Sequence, residues 1–282
     1  MSGRWVGVCL LLVAACQASR TGAAERRVLV LCRNDFTTGL ILGIKLDHRW
    51  VSAEQALPQL VRRPARKFFL FGGQRALGVA TAVRYAAGMM STGALVFFRR
   101  PPEGASGPTV IGLSRRPLQP FPRPTTCSRQ ETGALGERVR RFVEGQGWSL
   151  AVGRVCEADL DGDGTVEALL EMTDARPPAG RRGWGASAVL LATRGGVSLL
   201  EGSFPAGAAR RARHHAVAHV LDLDEDGKLE VVTYALEEGV LAPGEGKRVT
   251  GAEASVYAWE GSTLRRVLLS GDRVLTLPPA PP

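Results

Sequence analysis

The chain has 282 residues, of which 45% are hydrophobic and 22% charged, so its composition excludes an intrinsically disordered protein. Its length allows one or two domains with buried cores. Residues 25–147 contain 20 basic and 8 acidic residues, a net charge of +12, whereas residues 148–282 contain 14 basic and 19 acidic residues, a net charge of −5. Because nearly all basic residues are arginine, which is typical of GC-rich coding, the charge does not indicate a nucleic-acid partner, and we expect none.

The N-terminal segment, residues 1–24, has the organisation of an export signal. One arginine precedes an apolar run over residues 5–15, which is too short to span a bilayer. Residues 13–16, Val-Ala-Ala-Cys, resemble the lipobox of bacterial lipoproteins, in which the cysteine is lipidated and becomes the new N-terminus. The resemblance predicts an outer-membrane lipoprotein of the bacterial cell envelope, attached to the membrane through a lipid anchor on Cys16. The alternative is an ordinary signal cleaved after residue 24, which would give a secreted or periplasmic protein.

Residues 25–116 are expected to form a small basic β domain. Six short apolar runs alternate with turn residues, and runs of this length rich in Val, Ile, Leu and Phe predict strands. The six runs are RVLVLC, GLILGIKL, KFFLFGG, ALGVATAVRY, GALVFF and TVIGLS. A short helix is expected after Ser52, which is placed to cap AEQALPQL until Pro58 interrupts it.

Residues 117–147 predict a proline-rich linker followed by one amphipathic helix. The stretch RRPLQPFPRPTT has four prolines and little to bury. Ser128 and Glu131 then form a capping-box pair ahead of apolar residues at helical spacing, and the helix is expected to end near Gly145. Those apolar residues are Leu135, Val139, Phe142 and Val143. We expect this helix to pack on a sheet.

Residues 148–282 contain two repeated units. Each unit reads strand, acidic loop, strand, excursion, strand, tight turn and strand. The acidic segments EADLDGDGTVEALLEM and HVLDLDEDGKLEVVTYA place the first loop at residues 159–167 and the second loop at residues 222–230. Four antiparallel strands per unit is the size of a propeller blade. We therefore expect a mainly β fold, in which two tandem blade-like units follow the small β domain and the helix.

The two loops share the pattern D-x-D-x-D-G-x-x-E. Two like charges about 5 Å apart repel by roughly 3 kcal/mol at an effective dielectric constant of about 20, so four carboxylates in one loop favour a bound cation. Oxygen ligands at alternate positions suit Ca²⁺ before Mg²⁺, with a backbone carbonyl at position 7 and a glycine at position 6 for the bend. The predicted ligands of two structural calcium ions are Asp159, Asp161, Asp163, Thr165, Glu167, Asp222, Asp224, Asp226, Lys228 and Glu230. Solvated Asp-Gly turns are the alternative.

The loops resemble those of the FG-GAP and VCBS repeats of integrin-like β-propellers, where a D-x-D-x-D-G-x-x-D loop joins the first two strands of a blade. The resemblance extends from Ser149 to Leu269 and implies that the loop carboxylates ligate calcium. Two units close a ring only if the N-terminal half supplies further blades. An EF-hand is disfavoured, because position 12 is Leu170 or Thr233 instead of glutamate.

Three cysteines remain after the signal segment, namely Cys32, Cys127 and Cys156. An exported chain can form disulfides, and three cysteines allow at most one within the chain. Cys127–Cys156 is the expected pair, since it would hold the intervening helix on the acidic half. Three unpaired buried thiols are the alternative.

The histidines near the second loop, His214, His215 and His219, do not predict a zinc site. On a strand, His215 and His219 would be roughly 13 Å apart at a rise of about 3.3 Å per residue. Strand or loop histidines without a metal are the favoured interpretation.

The sequence contains no phosphate-binding loop, catalytic carboxylate pair or nucleophile constellation. We expect a non-catalytic, calcium-stabilised β protein of the cell envelope, with a binding or adhesion role toward an envelope glycan, lipid or protein. The basic half is the expected contact for anionic lipid or glycan. The alternative function is a hydrolase or lyase acting on envelope glycan, with structural calcium and with catalytic carboxylates outside the loops, such as Asp35 or Asp47.

Overall fold

The computed structural model describes residues 26–32, 37–46, 49–72, 75–87, 93–103, 110–115, 126–128, 134–174, 185–204, 213–239 and 248–272. The signal segment, Cys16, Asp35, Asp47 and Glu131 lie outside these residues. The described chain is mainly β, which confirms the expected fold class. Within it, no helix is long and apolar enough to cross a membrane.

The N-terminal half forms a closed antiparallel barrel of six strands. The strands of this half are β1 (Arg26–Cys32), β2 (Thr38–Leu46), β3 (Arg49–Ser52), β4 (Lys67–Gly72), β5 (Arg75–Ala87), β6 (Ala94–Arg99) and β7 (Val110–Leu113). The neighbours follow the order β1-β7-β4-β5-β6-β2, and β2 pairs back with β1 to close the barrel. The short strand β3 extends the sheet from β2. The six apolar runs of the sequence are the six barrel strands.

The helix α1 (Ala53–Arg62) packs on the apolar interior of the barrel. The Ser52 side chain caps it, as predicted, by accepting a hydrogen bond from a backbone N–H of the first turn. The prediction that Pro58 interrupts this helix was wrong, because the helix continues to Arg62. Proline removes one backbone donor, but Ala56 and Leu60 are fully buried among the barrel residues, and this burial favours the continued helix.

The acidic half forms two antiparallel sheets, each a series of hairpins. The first sheet has the order β12-β11-β10-β9-β8, and the second sheet has the order β13-β14-β15-β16. Their strands are β8 (Thr126–Ser128), β9 (Leu150–Ala158), β10 (Glu167–Asp174), β11 (Ser187–Thr193), β12 (Gly196–Ser203), β13 (Arg213–Leu221), β14 (Glu230–Gly239), β15 (Arg248–Glu260) and β16 (Thr263–Asp272). The strands β9 and β13, which open the two units, have equal length, and each is followed by an acidic loop and three further strands. The two four-stranded units are thereby confirmed.

The helix α2 (Ala134–Gly145) covers the outer face of the first sheet through Val139 and Val143. It packs on a sheet and ends at Gly145, as predicted. Ser128 of the predicted capping box belongs to β8, which pairs with β9, and Glu131 lies outside the described residues, so the capping box stays a prediction.

The structured layers are stacked in the order α1, barrel, second sheet, first sheet and α2. Leu29 and Leu42 on the outside of the barrel pack against Val256 and Leu268 of the second sheet. The approach is close, because a Cβ atom at Gly43 would lie 2.6 Å from the Leu268 side chain. The expected propeller blades are not seen, since a six-stranded barrel lies beside the two sheets. The barrel closes on itself by pairing β1 with β2, and its strands therefore do not form a further four-stranded blade.

Polar side chains fix the first sheet on the second. β13 is an edge strand of the second sheet, and the first sheet supplies partners to its outer side at Val217. Glu171 accepts a hydrogen bond of 2.9 Å from the N–H of Val217, and Arg154 donates one of 3.3 Å to the carbonyl of Val217. Deeper in the interface, Glu201 accepts a hydrogen bond of 2.8 Å from the hydroxyl of Tyr257. Charged side chains therefore satisfy backbone groups that an edge strand would otherwise expose.

Cys156 on β9 is disulfide-bonded and buried. The pairing of β8 with β9 places Cys127 directly opposite it, at the position of the predicted partner. This arrangement attaches the segment before α2 to the first sheet.

Candidate metal centre

The two acidic loops lie side by side at one end of the stacked sheets. The first loop joins β9 to β10, and the second loop joins β13 to β14. The backbone N–H of Leu229 in the second loop donates a hydrogen bond of 2.7 Å to the carbonyl of Leu160 in the first. Both leucine side chains are buried in the core between the sheets. Each loop is therefore anchored by an apolar residue and touches its counterpart.

Three carboxylates converge in each loop. One oxygen from each of Asp159, Asp161 and Glu167 lies within 4.8 Å of the others, and the same holds for the equivalent residues of the second loop. Those equivalents are Asp222, Asp224 and Glu230. Two groups of three carboxylates could therefore hold a metal ion each, and six of the ten predicted ligands are among them.

The aspartates at position 5 are not part of these groups. Asp163 Oδ1 accepts a hydrogen bond of 2.6 Å from the N–H of Thr165, and Asp226 Oδ1 accepts one of 2.8 Å from the N–H of Lys228. The bond from Thr165 lowers the pKa of Asp163. The backbone N–H groups of Thr165 and Lys228 thus donate to the aspartates at position 5. The carbonyl oxygens of the same two residues, at position 7, stay predicted ligands.

The glutamate at position 9 is the buried member of each group. Glu167 is 4% exposed and Glu230 is 2% exposed. Glu167 Oε2 accepts from the N–H of Leu160 at 2.8 Å, and Glu230 Oε2 accepts from the N–H of Leu223 at 2.6 Å. Burial raises the pKa of Glu167, and it raises the pKa of Glu230 to about 9, with the neighbouring aspartates adding to the effect. Without a cation, Glu230 therefore keeps its proton at neutral pH.

The glycine at position 6 makes the turn possible. Gly164 has φ of +86° and Gly227 has φ of +87°, in the left-handed region that other residues adopt only with strain. The N–H of Gly227 donates to Asp222 Oδ2 at 3.0 Å, and the equivalent N–H in the first loop donates to Asp159 Oδ2 at 3.2 Å. The bend thereby points the first aspartate of each loop toward its centre.

The second loop has an additional orphaned oxygen. Asp222 Oδ1 is buried and has no hydrogen-bond donor among the described residues, and burial raises the pKa of this carboxyl. A hard divalent cation prefers oxygen ligands. This group supplies them, including a buried carboxylate oxygen that no hydrogen bond within the described chain satisfies. Metal binding would satisfy this acceptor and neutralise its neighbours.

Two basic residues of the barrel contact the second loop, and neither was predicted from the sequence. Lys45 donates a hydrogen bond to Asp224 Oδ2. Arg27 donates to the carbonyl of Leu223 at 2.9 Å and to Glu225 Oε2 at 2.7 Å. The only signal in the sequence is the general one of a basic half beside an acidic half, which indicates attraction without indicating which residues meet.

The histidines of β13 serve the sheet interface. His215 and His219 are buried, and His215 Nδ1 lies 3.4 Å from Glu201 Oε2. Thr233 also donates to this oxygen, at 2.9 Å. Burial opposes the charged form of Glu201, but these hydrogen bonds, led by that from His215, hold its pKa below the usual range. Within the described residues, the candidate metal groups contain carboxylates alone.

Comparison of the chain with protein-family models found no matching model, and comparisons with curated proteins and with solved structures found no match.

Proposed function

We propose that the protein is a non-catalytic, calcium-stabilised β protein of the bacterial cell envelope. The observation that carries the proposal is the repetition of one arrangement in both loops: two aspartates at positions 1 and 3 converge on a buried glutamate at position 9. An isolated acidic turn in water has no need to bury a carboxylate, whereas a cation site does. The recurrence of the whole arrangement in a second, distant segment of the chain makes chance a poor explanation.

Calcium is the proposed ion because every side chain in the groups offers a carboxylate oxygen. The three converging residues of each loop would hold it, and Asp163 and Asp226 remain proposed ligands, as do the carbonyls of Thr165 and Lys228. The role is structural. Each ion would neutralise an acidic loop and fix the hairpin that follows it, so its removal would loosen the two sheets before the barrel. Saturation at roughly 100 times the dissociation constant would add about 2.7 kcal/mol of stability per site.

We further infer that each unit is of the FG-GAP/VCBS type, without closure into a ring. The support is local: in both units the acidic loop joins the first two of four consecutive antiparallel strands, β9 to β12 in the first sheet and β13 to β16 in the second. The envelope location rests on the lipobox-like residues 13–16, with lipid attachment proposed at Cys16. The basic barrel would face anionic lipid or glycan, and the loops would fix the acidic half behind it.

The test is calorimetric titration of Ca²⁺ into chelator-treated protein, together with melting temperatures in calcium and in chelator. We expect two binding events, a higher melting temperature in calcium, and the loss of one event in Asp161→Ala, which removes a ligand oxygen. Glu54→Gln, an exposed carboxylate on α1, is the matched control and should keep both events. Absence of binding heat with an unchanged melting temperature would defeat the proposal. Calcium-dependent cleavage of a polysaccharide that is lost in Asp35→Ala or Asp47→Ala would favour the glycan-acting alternative.

A further inference from the structure

Two basic side chains and one tryptophan lie in a row across the barrel sheet, next to the second loop. Arg27 on β1 and Lys45 on β2 are cross-strand neighbours, and Lys45 is in turn paired with Trp50 on β3. The Lys45 ammonium lies 4.7 Å from the centre of the Trp50 ring while it donates to Asp224. The side chains of Lys45 and Asp224 are only 13% and 12% exposed. The ammonium is thus held between an aromatic face and a loop carboxylate, where screening by solvent is weak.

The contacted carboxylate belongs to the candidate metal group. Asp224 Oδ1 accepts from the N–H of Asp226 at 3.2 Å, and Oδ2 accepts from Lys45, so both of its oxygens have partners. In the first loop the equivalent Asp161 accepts at Oδ1 from the N–H of Asp163 at 3.1 Å. Among the described residues, neither Asp161 nor Glu167 forms an ion pair. Within the described part of the chain, the aspartate at position 3 is therefore paired with a basic side chain of the protein in the second loop but not in the first.

The backbone of the second loop is strained where it contacts the barrel. At position 4 the first loop has Gly162 with φ of +80°, but the second loop has Glu225 with φ of +62°. A non-glycine residue in the left-handed region is strained, because its Cβ crowds the following carbonyl oxygen. The Glu225 side chain pairs with Arg27 at 2.7 Å, and Arg27 also donates to the carbonyl of Leu223. The second loop thus has a side chain, instead of the less strained glycine, at a position where that side chain reaches the barrel.

We propose that Lys45 is a built-in counter-ion of the second loop, so that Ca²⁺ must displace its ammonium from Asp224 to enter. This inference rests on the proposed function and extends it, because it makes the two calcium sites unequal. The first loop would fill at low calcium. The second would fill at higher calcium and, in doing so, would release one contact between the barrel and the second sheet. In the absence of calcium, Lys45 and Arg27 would keep the second loop attached to the barrel.

The test uses the full-length Asp161→Ala protein, in which the first loop has lost a ligand oxygen and the second loop keeps all of its own. Ca²⁺ is titrated calorimetrically into this parent and into the same protein carrying Lys45→Met. Removal of the competing ammonium should tighten binding on the order of tenfold. Lys45→Gln, which keeps a polar side chain, serves as the second variant should methionine prevent folding. Lys67→Met is the matched control, since Lys67 is an exposed lysine at the start of β4, and it should leave the affinity of the parent unchanged.

Tighter binding in the Lys45 variants, with no change in Lys67→Met, would support the built-in counter-ion. Equal affinity in parent and Lys45 variants would overturn it, as would an equal gain in Lys67→Met, which would indicate a general effect of net charge. Asp224→Ala in the natural background separates this failure from failure of the proposed function. If that variant still binds one Ca²⁺ while the Asp161→Ala series binds none, the first site stands and the counter-ion proposal falls. If neither binds, both fall.

Discussion

In the first loop the acidic side chains hydrogen-bond to backbone N–H groups of their own turn, whereas in the second loop two acidic side chains also pair with basic residues of the barrel. The spacing D-x-D-x-D-G-x-x-E is the same in both. Yet Glu230 is buried more deeply and has a more strongly raised pKa than Glu167. Spacing therefore determines which oxygens converge, while the surroundings determine how much their charge destabilises the loop without a cation.

The largest difference is expected from removing the buried glutamates. Glu230→Ala leaves the N–H of Leu223 buried without its acceptor and opens a cavity, which should lower the free energy of unfolding by about 3 kcal/mol. Glu167→Ala should have a smaller effect, about 1–2 kcal/mol, because the weaker rise in the pKa of Glu167 indicates a less enclosed carboxylate. Urea unfolding of both variants in chelator measures the difference, with Glu54→Gln as the control. Equal losses would show that the two loops have equivalent surroundings.

The next largest effect is a dependence of stability on pH, which should come mainly from the second loop because its glutamate has the stronger pKa shift. The folded pKa of Glu230, about 9, is above its ordinary value of 4.5, so the folded state binds the extra proton between these values. The stabilisation is complete below pH 4.5 and is lost as pH rises toward 9, by about 3 kcal/mol between roughly pH 5.5 and pH 7.5. Unfolding in chelator at several pH values tests this. Glu230→Gln, which cannot ionise, should flatten the dependence; an unchanged slope in that variant would assign it to another group.

The affinity for calcium should depend on pH in the opposite direction to the stability in chelator. Binding requires the ionised carboxylate, so Ca²⁺ should release a proton from Glu230 at neutral pH and bind more tightly as pH rises. Titrations in two buffers of different ionisation enthalpy measure the proton released. The first loop should release less, because its glutamate has the weaker pKa shift. Equal proton release from Asp161→Ala and Asp224→Ala would contradict the difference between the loops.

The smallest expected changes in stability come from substitutions at position 4 of each loop. Gly162→Ala should destabilise the first loop by about 1 kcal/mol, because alanine is strained at a φ of +80°. In the second loop, Glu225→Ala keeps the strain and loses the Arg27 pair, whereas Glu225→Gly relieves the strain and loses the same pair. The glycine variant should therefore be more stable than the alanine variant by about 1 kcal/mol. Thermal unfolding of the three variants gives these differences, and equal stability of the two Glu225 variants would mean that the backbone there is unstrained.

Much of the local structure was predictable because apolar runs and turn residues are local signals. All six runs of the N-terminal half became barrel strands, and both units of the acidic half have the predicted order of strands. The closed barrel was not predictable, since it also requires the pairing of β1 with β7, which are distant in the chain and share no local pattern. Pro58 misled the helix prediction because the burial of α1 in the barrel outweighs one lost hydrogen bond.

The candidate site was likewise predictable where local spacing determines it and not where distant residues meet. The spacing of the loop carboxylates identified the six residues that converge, and the glycines at position 6 have the left-handed backbone that the bend requires. Lys45 could not be identified, because it is 179 residues away from Asp224 in the chain, and Arg27 is 198 residues away from Glu225. Contacts across this distance depend on how the barrel lies on the second sheet, which the apolar patterning alone does not determine.

The central claim is that each acidic loop is built around a divalent cation. Crystals grown in abundant calcium, with anomalous diffraction recorded to locate the ion, test it most directly. We predict a peak in each loop with oxygen ligands at about 2.3–2.6 Å, including the glutamate at position 9, and a Lys45 ammonium withdrawn from Asp224 in the second loop. Two loops without an anomalous peak, with Glu167 and Glu230 still bonded only to backbone N–H groups, would contradict it.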